Sequence, residues 1–248
     1  MHRDIRSELL VLGRSLAEVV AQRLVATAQL LEEDPEQALA HALVARRLAS
    51  RVAAVREAVG LAAYRAGEWQ TAVRELRAYH RLSGRQTHLA LIADCERALG
   101  RPERAIDIYR DADLSTLDKA AAIELLIVAA GARRDMGQRE AAVAMLQVDE
   151  LHQTDHAPWV ARLRYAYADA LLAVGRRAEA REWFARAVDA DEEAQTDATD
   201  RLLELDGVVL ESEEASDEAP DEGASSGVES SPVDTSPPDA PNDDNTPR

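Results

Sequence analysis

The chain has 248 residues, a formal net charge of −17, 4% aromatic residues and a single cysteine. A sequence this poor in aromatic and β-branched residues argues against sheets, and its abundant Ala, Leu, Arg and Glu are strong helix formers, so an all-α fold is expected. One cysteine excludes an internal disulfide and fits a reducing compartment, while the acidic balance argues against a nucleic-acid partner.

At the amino terminus the only short apolar run, from Leu9 to Leu12, meets Arg14 almost at once and is too short for a signal-peptide core. No stretch approaches the roughly 18 uncharged apolar residues of a membrane helix. A cytoplasmic, soluble protein with no membrane contact is expected. Residues 1–19 read as an N-terminal helix, with Asp4 placed to cap it.

From about residue 20 a short signature recurs: a turn residue, a few polar positions, then an alanine that opens another helix. It appears as Asp34-Pro35-Glu36-Gln37-Ala38, as Gly67-Glu68-Trp69-Gln70-Thr71-Ala72 and as Gly100-Arg101-Pro102-Glu103-Arg104-Ala105. It returns as Gly137-Gln138-Arg139-Glu140-Ala141-Ala142 and Gly175-Arg176-Arg177-Ala178-Glu179-Ala180. The alanines are 34, 33, 37 and 38 residues apart, a period characteristic of stacked helix pairs. Glycine at the turn takes the left-handed conformation that ends a helix, and Pro35 and Pro102 fall where a missing N–H costs nothing. The small alanine lets two antiparallel helices approach closely. The extra residues of the last two intervals belong in loops near positions 114–117 and 151–158.

Residues 197–205 read as a short capping helix with Leu202, Leu203 and Leu205 on its inner face. Composition then changes. Residues 211–248 hold 12 acidic residues against one basic, a net of −11 that leaves −6 for residues 1–210, together with six of the nine prolines. Such a segment cannot offset the entropy of ordering its backbone, so a disordered acidic tail is expected over 207–248.

With these features in hand the sequence resembles the tetratricopeptide repeat family, most clearly in Val59-Gly60-Leu61-Ala62-Ala63-Tyr64-Arg65-Ala66-Gly67 through Ala72 and in residues 167–184. The resemblance covers roughly residues 20–190 and departs from the family pattern at Glu33, where a turn glycine usually stands, in the two longer intervals and in the scarcity of closing prolines. It implies a right-handed superhelical solenoid of about five helix pairs over residues 20–206. It also implies that the first helix of each pair lines a concave groove. The groove-facing positions are then Arg23 and Thr27; Glu57, Leu61, Tyr64 and Arg65; Asp94 and Arg97; Glu124, Ile127, Arg134 and Asp135; and Arg162, Tyr165 and Asp169.

An arginine from each unit beside two tyrosines points to a protein partner, and an extended acidic peptide is the expected ligand. The bland reading of the same residues is a solvated face with local ion pairs, such as Arg134 beside Asp135. Family members that grip acidic carboxyl termini of chaperones use Lys and Asn in the groove; here Asn occurs only as Asn242 and Asn245, so that clamp is not expected. Two alternatives stand beside the scaffold: a self-regulated adaptor whose acidic tail occupies the groove, and an RNA-associated accessory factor. His152 and His156 have i, i+4 spacing but fall in a loop and lack further ligands for a metal. Cys95 reads as a packing residue. No phosphate-binding glycine loop and no nucleophile elbow is present, so neither an enzyme nor a cofactor is expected. The oligomeric state is left open.

Overall fold

The computed structural model describes residues 3–153 and 157–207, and among these the regular structure is helical throughout. Twelve α-helices follow one another among the described residues: α1 Arg3–Leu9, α2 Arg14–Leu30, α3 Pro35–Leu48, α4 Ala53–Arg65, α5 Trp69–Ser83, α6 Leu89–Ala98, α7 Pro102–Asp111, α8 Lys119–Asp135, α9 Arg139–Leu146, α10 Pro158–Ala173, α11 Arg177–Ala190 and α12 Ala198–Leu205. Single 3-10 turns at Leu114–Thr116 and Asp149–His152 fill the two longer connections. Helices α2 to α11 form five antiparallel pairs, and the well-packed helices are all near neighbours in chain order. No described helix is long and apolar enough to cross a membrane.

The repeated turn is one structure used four times. At Gly67 the backbone is left-handed (φ 73°), the Gly67 N–H donates to the Tyr64 carbonyl at 3.1 Å, and the Glu68 N–H donates to the Ala63 carbonyl at 2.8 Å. This pair of bonds satisfies carbonyls that the helix end would leave bare. The same two bonds recur at Gly100, Gly137 and Gly175, each with φ between 71° and 80°. The first pair lacks the glycine and solves the problem from the other side. The Asp34 carboxylate accepts from the Gln37 N–H at 2.9 Å, and Pro35 opens the helix.

The signature alanines do the packing expected of them: Ala38, Ala72, Ala105 and Ala180 are fully buried and Ala142 nearly so. The α4–α5 contact is close: a Cβ on Gly60 would lie 2.5 Å from a methyl of the buried Leu76, which would have to shift to admit it. The core is a chain of clusters, most of which bridge consecutive pairs. Ala38, Ala42, Val59 and Ala62 join pairs one and two; Ala63, Leu76, Ile92 and Cys95 join two and three; Ala93, Ala105, Leu125 and Ala132 join three and four. The largest cluster joins pairs four and five and takes in Leu126, Tyr167, Trp183, Phe184 and the capping helix through Ala198, Leu202 and Leu205. No pair could bury its apolar surface alone, which is the physical basis of a stacked array.

Charge also enters the stack. Glu75 on α5 is 1% exposed and accepts from Arg46 of α3 at 2.5 Å, Arg56 of α4 at 2.6 Å and its neighbour Arg74 at 3.1 Å. Glu96 on α6 is also 1% exposed and faces Arg77 of α5 at 3.0 Å, with Arg101 and Arg104 at 3.2 and 4.0 Å from the turn before α7 and its first turn. A buried carboxylate survives only where such partners replace its water.

One expectation changes. The N-terminal helix expected over 1–19 is two pieces, because Gly13 (φ −59°, ψ 146°) leaves the helical region and starts α2, the first helix of pair one. A boundary at residue 19 therefore falls inside α2. The acidic tail over 207–248 lies almost wholly outside the described residues, as does His156.

Candidate functional site

The residues expected in the groove lie on α2, α4, α6, α8 and α10, the first helices of the five pairs, and most of them meet one another across pairs. The Tyr64 hydroxyl of α4 donates to Asp94 of α6 at 2.9 Å. Arg97 of α6 donates back to Asp94 at 3.2 Å and reaches forward to both carboxylate oxygens of Asp135 on α8, at 2.8 and 3.3 Å. Arg134 of α8 pairs with Asp169 of α10. Arg162 of α10 donates to Glu124 of α8 at 2.6 Å. These contacts form a ladder in which each of these guanidinium groups has its own carboxylate on a neighbouring pair.

The remaining expected positions lie apart from that ladder. Arg23 donates to Nδ1 of His41 at 2.9 Å within pair one. Glu57 accepts from Nε2 of His88 at 2.7 Å. Arg65 reaches Glu32 at 2.9 Å on an exposed surface. Thr27 is buried and bonds to the carbonyls of Arg23 and Ala38 at 2.9 and 3.4 Å, so it holds pair one together and presents nothing to solvent.

Where the ladder reaches α8 and α10 it opens into a cavity of about 430 Å³. Its rim carries Arg97, Arg134, Arg162 and Asp169; Ile127, Leu146, Ala166 and Ala170 give it an apolar floor; Tyr165 lines one wall. Gly131 matters here. A Cβ at that position would lie 2.7 Å from Cζ of Arg97, so the missing side chain lets the guanidinium lie close against α8.

Helices α10 and α11, with the Gly175 turn between them, supply that cavity with Arg162, Tyr165 and Asp169. The stretch of sequence that builds them, residues 161–193, matches the family of tetratricopeptide repeats. This segment resembles a tetratricopeptide repeat. No curated protein matches the chain. The repeat shares its buried alanine with all four earlier helix pairs and its glycine turn with the three before it. Such repeats are protein-binding units, so a protein-interaction scaffold is the class of function that the match supports, and the fold is typically not enzymatic.

Within the repeat, the Tyr165 ring packs edge-on against Phe184 at 5.4 Å. Burial, reinforced by a hydrogen bond to Asp197, pushes its phenol well above the usual tyrosine range. Tyr64 is pushed up to about 12 by burial and by Asp94. Both therefore act as fixed donors at physiological pH. Glu124 is raised by burial, which the Arg162 guanidinium only partly opposes.

Sequence reasoning missed the segment that closes the cavity beyond the repeat, Gln195, Thr196 and Asp197. That segment is pinned by Asp191, which accepts from the Gln195 N–H at 2.8 Å and from the Thr196 N–H and hydroxyl at 2.8 and 2.6 Å. Burial works against the charged form of Asp191, but those bonds hold it below the usual carboxylate range. An aspartate followed four and five residues later by Gln and Thr is the signal that could have revealed this turn.

Packing accounts for the cysteine and for the described histidine of the 151–158 loop. Cys95 is buried, and burial with Asp94 and Glu96 nearby pushes its thiol up to about 12, far from a reactive thiolate. His152 stacks edge-on against Trp183 at 5.6 Å.

Proposed function

We propose that the chain is a scaffold that holds a segment of a protein partner along its first helices, seated over the cavity between α8 and α10. The cavity carries the reading. At about 430 Å³ it falls within the range of ligand-binding clefts, and its apolar floor is ringed by guanidinium and carboxylate groups that a partner's backbone and polar side chains can bond.

The ladder narrows the partner's chemistry. An extended acidic peptide, the ligand expected from the sequence, would need a surplus of positive charge on this face. Arg97, Arg134 and Arg162 are instead matched by Asp135, Asp169 and Glu124. A carboxylate-rich ligand would have to displace those acids, and the loss of each existing ion pair would cancel much of the attraction of its replacement. The same pairing argues against the acidic tail in this groove, and against an RNA backbone. A segment that places an aliphatic or aromatic side chain on Ile127 and Ala166, and bonds through its backbone to the ladder, fits the geometry better.

The test uses the full chain as bait against cytosolic protein, beside an Ala166→Trp variant that obstructs the cavity and replaces no member of an ion pair. Far-UV circular dichroism establishes that both are folded. A partner retained by the parent chain and lost by the variant supports the assignment; the same set of partners on both sinks it.

A further inference from the structure

A surplus of positive charge does exist on this chain, away from the groove. It collects around the two buried carboxylates, Glu75 and Glu96. Glu75 has three guanidinium partners (Arg46, Arg56 and Arg74), and Glu96 has three more (Arg77, Arg101 and Arg104). Six arginines thus surround two carboxylates, whereas the groove ladder runs close to one for one.

The two clusters join along α5, where Arg74 and Arg77 are about one helical turn apart and lie on the same side. Arg101, just before α7, ties back to α5 through Oε1 of Gln70 at 2.9 Å. Arg81, a turn beyond Arg77, is exposed, and the only acid on α5 is the buried Glu75. Acids near the patch sit on α7, where Asp107 is occupied by Arg110 at 3.6 Å and Glu103 lies in the first turn.

Each guanidinium has five N–H donors; Arg74 and Arg77 each give one to their buried carboxylate, and Arg104, 4.0 Å from Glu96, gives it none, which leaves donors for a further ligand. Arg74 and Arg77 keep 58% and 45% of their side chains in solvent. The buried glutamates hold the guanidinium groups of Arg74 and Arg77 in place beforehand. That reduces the ordering loss that usually weakens flexible arginine contacts.

We propose that this surface, formed by α5 with the neighbouring arginines of α3 and α7, binds a short acidic segment of a partner protein. Its carboxylates would be taken by the free donors of Arg74, Arg77 and Arg104. The occupant is short because the field is local. At physiological salt the screening length is about 8 Å, so a segment of a few residues feels the patch alone. A long polyanion such as RNA would extend over the rest of a chain whose net charge is −17. This surface is separate from the cavity between α8 and α10, and it can succeed or fail whatever becomes of that assignment.

The experiment measures fluorescence anisotropy of a labelled peptide of alternating Glu and Ser, about twelve residues long, with the full chain at about 50 mM and about 300 mM salt, a range over which the screening length shortens by more than half. Binding that weakens with salt is expected. The double variant R74Q/R77Q should bind about tenfold more weakly, as two exposed charge contacts in the upper half of their range imply. Arg46 and Arg56 still hold Glu75 in that variant, and Arg101 still holds Glu96, so circular dichroism should show an intact fold. Ala166→Trp should bind as the parent does. No binding at the lower salt, equal binding by the double variant, or tighter binding of a labelled RNA of the same length would each overturn the proposal.

Discussion

Glu75→Gln probes the charged joints of the stack most directly. The amide keeps the shape of the side chain but turns one charged acceptor oxygen into a donor amide facing guanidinium groups at 2.5 to 3.1 Å. Breaking a buried pair by neutralising one partner costs about 3–5 kcal/mol when the stranded charges cannot reach water. Here Arg46, Arg56 and Arg74 keep 28%, 24% and 58% of their side chains in solvent and can be rehydrated in part. A loss of about 2–3 kcal/mol at pH 7 follows. Burial raises the pKa of Glu75, but hydrogen bonds from Arg56, Arg74 and Arg46 outweigh it and leave the group below its usual value. A carboxylate whose folded pKa is depressed adds stability above its unfolded pKa, about 4.3 for glutamate. That stability fades as pH falls below this value. Urea denaturation followed by far-UV circular dichroism should therefore show the full deficit between pH 7 and about 5. The deficit should narrow below about pH 4, as the parent chain protonates Glu75 and loses the same interaction. A variant as stable as the parent at pH 7, or a deficit that stays constant down to about pH 3, would refute the claim that an ionised carboxylate organises this junction.

Three further outcomes follow from single residues. Gly175→Ala places a side chain on a backbone with φ 80° and should lower stability by about 1–2 kcal/mol in the same denaturation assay. Ala180→Leu adds bulk where the repeat's second helix meets its first with no exposure, and should cost about 1–3 kcal/mol through overpacking. The Cys95 thiol, buried and pushed up to about 12, should remain unlabelled by an aromatic disulfide reagent at about pH 8 and react fully once urea unfolds the chain.

Much of the fold is legible because it repeats. An alanine that must be small, five times at a near-constant interval, locates five interhelix contacts at once. The two longer intervals point to the connections that hold the 3-10 turns, since extra residues between packed helices can only go into connections. Gly13 is harder to read: one glycine in a helical pattern breaks the helix or is absorbed by it according to packing that the sequence does not display. The groove positions can be named from the repeat, but their pairings cannot. Arg134 stands beside Asp135 in the chain, yet it joins Asp169 while Asp135 takes Arg97. Those partners are 35 and 38 residues apart, a distance that has meaning only once successive pairs are stacked in register. Glu75 and Glu96 leave a fainter trace. Each occupies a position on its helix's apolar stripe, Glu75 in line with Ala72 and Tyr79, Glu96 in line with Ile92 and Ala93.

The junctions between successive pairs are also unlike in kind. Pairs one to three are joined through carboxylates wrapped in guanidinium groups beside small alanine-rich clusters, whereas pairs four and five share a broad apolar seam with Tyr167, Trp183 and Phe184. Acid strains the first kind of joint more, because its carboxylates are buried, whereas Arg134–Asp169 and Arg162–Glu124 beside the second are partly solvated pairs worth less. Cooling weakens apolar adhesion and spares the charges. A stack made from one recurring unit thus has a failure point that depends on the stress applied. Low pH should raise amide exchange first in α3 to α6, and cold should raise it first in α9 to α12.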